Sequence, residues 1–467
     1  MSPDAPTSGW SRAAIAGCFV WFGARLLGMA LYLDGSVPPD EITHVGRVLA
    51  HAGHWGLPQP EADNYALGLI SDRPFLYNWT LGRLAGFGLD ERVWLRLANV
   101  GMALATAVYG LRFVRVVTHE PLTQIVFLVC LTNTLMFTGI GAAVSYDNGA
   151  NLLAAASFYY LAELRAHGNS RDLAALLLAL GLGCLTKRSF LPLAGLIAAA
   201  VWVYERRNLG EVWARFASMG RPVTLAIAVV LLANVLLYGG NLVRYQKLVP
   251  SLDQVVGVEA ARQNRIFSRD FILDGYREGR IEFAEARALA LTIEHDADRE
   301  STQRLLAISK KHGERRVGWW VYTRTWGYIM LDRSLGYFGH RSLPLQTGER
   351  LAFGLVLALA VAFQLLTWRR MQSPLAREFG GIALAYGLVL LLFVNYPTYA
   401  EKGLIDAGVQ GRYLFPVWVP LMGWLACALT ESPPRFARIP LAAAVCGLFI
   451  YSDAPSFWLR TSPAWLG

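Results

Sequence analysis

Apolar runs long enough to cross a bilayer recur along the whole 467-residue chain, and this constrains the fold more than any other feature. Composition agrees: 54% of residues are hydrophobic and 16% charged, mean hydropathy is +0.36, and a soluble class is excluded. The expected fold is an all-α polytopic membrane protein of about 11 transmembrane helices. These fall at roughly 13–33, 93–112, 121–141, 147–164, 171–187, 189–205, 222–239, 351–367, 379–395, 413–429 and 438–452. The first run is too long for a signal-peptide core and has no small-x-small cleavage site, so it is expected to stay as a span.

The stretch 171–205 reads either as one long helix or as a hairpin of two short spans, and the choice flips every later loop. With the hairpin, Arg112, Arg115, Arg165, Arg171, Arg206, Arg207, Arg215, Arg221, Arg369, Arg370, Arg377, Arg435 and Arg438 share one side, as the positive-inside rule demands. The expectation is a multi-pass protein of the inner (cell) membrane, N-terminus cytoplasmic and C-terminus outside. The net charge of +9 is met by those loops and by a face towards anionic lipid, with no nucleic acid needed. Cys18, Cys130, Cys184, Cys427 and Cys446 fall inside expected spans and form no disulfide framework. Three regions follow: 1–239, a transmembrane module with a first outside loop at 34–92; 240–350, an outside helical region; and 351–467, the C-terminal transmembrane helices.

The outside face holds the unusual chemistry. Pro38-Pro39-Asp40-Glu41-Ile42-Thr43-His44 follows the first span. Ile42, Val45, Val48 and Leu49 form one stripe and His44, Arg47 and His51 another, so an amphipathic helix on the membrane surface is expected. Asp40 either caps that helix or, with Glu41, offers carboxylates kept ionised by the helix dipole. Ser71-Asp72-Arg73-Pro74 reads as the start of a second surface helix with Asp72 as cap. Ser145-Tyr146-Asp147 opens the fourth span, where Asp147 is a cap or a second carboxylate facing the cavity of Asp40.

Lys187 and Arg188 lie in the hairpin turn. Cations there must snorkel, pair or bind an anion, and an outside face is where they are least expected. Residues 259–316 read as solvated helix. The aromatics from Trp319 to Phe338, with Arg324, Asp332 and Arg333, suit either an interfacial belt or sugar and phosphate recognition. Gln410-Gly411-Arg412-Tyr413 places a guanidinium at the mouth of the tenth span, as an anion-binding fork or an interface anchor.

The Pro38-Pro39-Asp40-Glu41-x-x-His44 pattern, Ser334-Leu335-Gly336-Tyr337-Phe338-Gly339 and Gln410-Gly411-Arg412-Tyr413 together resemble an uncharacterised bacterial family grouped with the GT-C glycosyltransferases. Arg73-Pro74-Phe75-Leu76-Tyr77 followed by Arg96-Leu97-Ala98-Asn99 is similar to the stretch GT-C enzymes carry between the first outside acid and the second span. His340 departs from the pattern, where an aromatic is expected. The resemblance implies a GT-C-like fold and transfer of a sugar from a polyprenyl-phosphate donor to a lipid or glycan acceptor at the outer face, with membrane lipids as further partners. It implies Asp40 as general base, with Glu41 and Asp147 orienting acceptor or sugar and Lys187, Arg188 and Arg412 holding the lipid phosphate. His44, Tyr146, Arg324, Gln410 and Tyr413 are the expected substrate contacts. No cofactor is implied with certainty. A divalent metal held by His44, His51, His54 and the acids is compatible with the residues, but no spacing demands it. The rivals are a transporter or flippase of envelope lipids without bond chemistry, and a polymerase or ligase using a diphosphate donor.

Overall fold

The computed structural model describes residues 9–59, 62–70, 72–206, 209–293, 296–312, 316–367 and 374–466. Ser71, Arg207, Arg369 and Arg370 lie outside them. The main helices are α1 (Gly9–Tyr32), α2 (Glu41–Ala52), α3 (Leu76–Gly86), α4 (Arg92–Val117), α5 (Pro121–Thr132), α6 (Leu135–Gly141), α7 (Tyr146–His167), α8 (Ser170–Thr186) and α9 (Phe190–Glu205). They continue as α10 (Leu209–Ala217), α11 (Arg221–Tyr245), α12 (Arg265–Arg277), α13 (Phe283–Leu291), α14 (Asp296–His312) and α15 (Trp319–Leu335). A two-stranded hairpin, β1 (Tyr337–Phe338) and β2 (Ser342–Leu343), precedes α16 (Thr347–Leu366), α17 (Pro374–Lys402), α18 (Gly411–Thr430) and α19 (Arg435–Arg460).

A helix stands at each expected span. By length and composition seven of them, α1, α4, α11 and α16 to α19, can cross a membrane, and the pair α5–α6 makes eight if it is one span. The chain is a multi-pass membrane protein with fewer self-sufficient spans than the expected eleven. α8 and α9 are only 17 and 16 residues long, and α7 carries buried Asp147, Asn148 and Asn151. Residues 171–205 form the hairpin, with Lys187 after the last turn of α8.

The expected third span, 121–141, is not one helix: it bends by 64° after Thr132. Asn133 and Thr134 turn their side chains back onto the carbonyls of Val129 and Cys130, the local competition that breaks helices at such residues. The break frees the Thr132 carbonyl, which accepts from Arg25 at 2.7 Å. Arg25 in turn pairs with buried Asp453, to which Thr138 also donates at 3.1 Å. The core nearby is aromatic: Phe113 of α4 meets Phe379 of α17 at 5.0 Å and Phe158 of α7 at 6.2 Å, both edge to face.

Three further expectations are corrected. α2 is turned inward, burying Glu41, His44, Val48 and His51 and leaving Ile42 and Leu49 exposed; partners for the polar face lie inside the protein. α3 begins at Leu76, so Asp72 does not cap it. The aromatic stretch is neither all belt nor all binding surface, because Tyr322 is buried against Tyr396 and Tyr399 of α17 and Trp326 donates to Asn395 at 2.9 Å. α12, α13 and α14 pack around a small core of Ile272, Leu273, Ala286, Ala290 and Leu306.

Candidate active site

Four charged side chains from distant stretches meet where helix ends converge. Asp40 stands before α2, Asp147 in the first turn of α7, Lys187 after α8 and Arg412 in the first turn of α18. Asp40 has a left-handed backbone, φ 59° and ψ 11°, and its side chain makes no capping bond. Such strain in a non-glycine residue concentrates at functional sites. Arg412 Nη2 donates to Asp40 Oδ2 at 2.7 Å, and the Asp40 amide donates to His340 Nε2 at 3.2 Å. Asp147 does not cap α7 either: Ser145 does, its Oγ accepting from the Asp147 amide at 3.2 Å. The Asp147 carboxylate pairs with Lys187 and lies 3.8 Å from Arg412 Nη1. Two carboxylates and two cations therefore form one chain of neutral formal charge, buried except at Asp40. Lys187 Nζ also stands 5.2 Å from the Tyr146 ring and 5.1 Å from the Tyr413 ring, close enough for cation–π attraction.

The chain of charges runs from one cavity to another. The larger, about 870 Å³, is lined by Tyr146, Lys187, Arg188 and Tyr413, by the further cations Arg47, Arg73 and Lys247, and by an apolar wall including Leu191, Leu390 and Phe393. The smaller, about 230 Å³, is lined by Asp40, His340, Gln410, Arg412, Arg333 and Phe338. Burial would raise the Asp40 pKa, but the Arg412 guanidinium outweighs it and holds the carboxyl at about 2. His44 touches Tyr146 edge to face at 4.4 Å. Burial drives its pKa down to about 3, so the ring is neutral, and both its nitrogens are buried without a partner among the described residues.

The remaining expected residues divide. Glu41 is buried and committed elsewhere: Arg96 binds it twice, Nε to Oε1 at 2.8 Å and Nη2 to Oε2 at 2.6 Å, and the Val144 amide donates to Oε1 at 2.8 Å. Arg324 is exposed on α15 and lines neither cavity. His51 gives Nδ1 to the Arg47 carbonyl at 2.8 Å, His54 is exposed, and among the described residues no group of three or more His, Cys, Asp or Glu could hold a metal ion. Conversely, sequence reasoning misses Arg47, Arg73 and Lys247 in the large cavity and His340 beside Asp40. The available signal for the arginines is the one that selects Arg188, cations on a face where the positive-inside rule does not expect them.

Close backbone approach fixes the smaller cavity. A Cβ on Gly411 would collide with the Arg333 backbone, and one on Gly339 with the Val37 carbonyl. Gly411→Ala is expected to cost about 1–3 kcal/mol through overpacking and to displace the adjacent Arg412. The thermal unfolding midpoint in detergent should fall, and any activity that needs Arg412 should fall with it; an unchanged midpoint would show that the α15–α18 approach is not tight.

No protein family profile and no curated protein sequence matches this chain. Among solved structures, the crystal structure of ArnT from Cupriavidus metallidurans in the apo state is similar at 15% identity with a TM-score of 0.36, over 98% of this chain and 81% of that one. So distant a likeness leaves the functional reading to rest on the geometry of the site.

Proposed function

We propose that this chain is a membrane glycosyltransferase of GT-C type. It transfers a sugar from a polyprenyl lipid carrying it through phosphate to a lipid or glycan acceptor, at the outer face of the inner membrane. The observation that carries the reading is the neutral chain of Asp40, Arg412, Asp147 and Lys187 standing between a large cationic cavity with an apolar wall and a small cavity that Asp40 lines. The large cavity suits a lipid phosphate and the first units of its prenyl chain. The small one admits the acceptor hydroxyl.

In the reaction the acceptor oxygen bonds to the anomeric carbon, the bond from that carbon to the phosphate oxygen breaks, and the phosphate keeps the electron pair. The acceptor proton passes to Asp40. Attack from the face opposite the phosphate inverts the anomeric centre. With Arg412 upon it Asp40 is a weak base, but the hydroxyl becomes acidic as its new bond forms. The charge growing on the phosphate then competes for Arg412 and frees the carboxylate. Asp147 orients Lys187 and Arg412 for that role, and Arg188 reaches the phosphate from the cavity side. His44, Tyr146, Gln410 and Tyr413 offer polar and aromatic contacts to the sugar, while Glu41 acts through the backbone it holds.

The test is turnover by the purified full chain in lipid, supplied with a panel of polyprenyl-linked sugars and membrane-lipid or glycan acceptors. Donor consumption with sugar appearing on an acceptor is the expected result. Donor bound for long periods and recovered intact would overturn the transferase reading and point to lipid movement without bond chemistry.

A further inference from the structure

The cations around the large cavity fall into two groups. Lys187 is compensated by Asp147, and Arg412, beyond it, by Asp40. Arg47, Arg73, Arg188 and Lys247 line the same cavity, and among the described residues none of the four is paired with a carboxylate. Arg47 gives Nε and Nη2 to the Leu67 carbonyl at 2.9 and 2.7 Å, which fixes its guanidinium without neutralising it. Arg73 has a buried Nε with no partner among the described residues. Among the described residues one acid, the exposed Glu401, also lines the cavity. Four cations less one acid leave a formal charge of +3 on the uncompensated lining. These charges act on one another: burial first, then Arg47 and Arg188, hold the Arg73 pKa down to about 10. Arg188 and Lys247 are exposed and hydrated while Arg47 and Arg73 are half-buried; like charges gathered around one partly apolar cavity repel, and an anion among them relieves that repulsion.

A sugar joined to its lipid through one phosphate carries a single negative charge, too little for this lining. Through a diphosphate it carries two, and when the bond to the sugar breaks the departing lipid diphosphate carries up to three. We propose that the donor of the transferase reading is linked through a diphosphate, held by Arg47, Arg73, Arg188 and Lys247, with the added charge of the leaving group drawn to them in the transition state. This rests on the transferase reading for its chemistry, though not for its binding site. The step balances without any co-reactant: the acceptor oxygen bonds to the anomeric carbon, that carbon's bond to the diphosphate oxygen breaks, the electron pair leaves with the diphosphate, and the proton goes to Asp40. Interactions that strengthen as the leaving group gains charge raise the rate and not only the affinity.

The experiment uses the full chain in lipid nanodiscs. Polyprenyl phosphate and polyprenyl diphosphate of one chain length are titrated, and inorganic pyrophosphate is added as the headgroup alone. The expected result is a diphosphate lipid bound at least about tenfold more tightly than the monophosphate. Arg188→Gln, an exposed position, should weaken the diphosphate about tenfold and the monophosphate less. Competition by inorganic pyrophosphate as strong as by the lipid would make the site one for free diphosphate and overturn the lipid assignment. Equal or tighter binding of the monophosphate would overturn the proposal. Turnover separates the two readings: faster consumption of a monophosphate-linked sugar removes the diphosphate while keeping the transferase, and tight diphosphate binding with neither donor consumed keeps the site and removes the transferase.

Discussion

Asp40→Asn is expected to lower turnover by a factor of about 10² to 10⁴, the usual contribution of a general base, while the protein stays folded. The amide oxygen can still accept from Arg412 Nη2, which now reaches Oδ2 at 2.7 Å, and the side chain is about one-third exposed, so water can relax what charge is lost. The loss should appear in kcat with little change in donor affinity, because Asp40 lines the small cavity and not the large one. The pH profile gives a second readout. The folded pKa of Asp40, about 2, lies below its ordinary 3.8, so its ionised form and the stability that form confers are in place above pH 3.8 and are lost as pH falls towards 2. Between pH 5 and pH 8 Asp40 therefore contributes no acid limb to kcat/KM of the free enzyme. A variant as active as the parent would remove Asp40 as base. A variant that fails to bind donor would make the residue part of the donor site.

Much of this architecture is legible in the sequence, and the reasons differ by feature. A run of twenty apolar residues is a local signal, so helices stand at the expected places. The break after Thr132 is local too, yet the apolar average over 121–141 hides two residues, Asn133 and Thr134, whose side chains divert the backbone. Sidedness places Asp40, Asp147, Lys187 and Arg412 on one face, which allows them to converge. Their pairing is not local: nothing near Asp40 shows that its carboxylate will find Arg412, 372 positions on, in preference to a cap on its own helix. α2 shows the limit most clearly. Its stripe of Ile42, Val45, Val48 and Leu49 suggests an apolar face laid on the membrane surface. Which face is buried depends on partners in α3, α4 and α7, and it is the face of Glu41, His44, Val48 and His51. Arg324 illustrates the converse: aromatic neighbours in sequence suggest a substrate contact, whereas the residue is exposed on α15 and lines neither cavity.

Glu41→Gln separates a chemical role from an architectural one. The parent carboxylate is fully buried, and Arg96, itself 4% exposed, meets it through two hydrogen bonds while also donating to the Ala30 and Leu33 carbonyls at 2.9 and 2.7 Å. One guanidinium thus joins the end of α1, the start of α2 and the body of α4, and Glu41 extends the connection to Val144, three residues before Asp147. Removing the negative charge leaves Arg96 buried and uncompensated, a change that costs about 3–5 kcal/mol when one partner of a buried pair is lost. The expected result is a large fall in thermal midpoint and in the yield of monodisperse protein, with lost activity following from lost structure. The double variant Glu41→Gln with Arg96→Met removes both buried charges together, and its midpoint should recover a substantial part of the loss, because a buried pair replaced as a unit is far less costly than one broken. Recovered stability without recovered turnover would then mean that the carboxylate does chemistry after all, since the two carboxylates that start α2 would be needed in different ways. Recovery of both would show that turnover needs neither the Glu41 carboxylate nor its pair with Arg96 once the buried charges are balanced, and leave Asp40 to act alone on the acceptor.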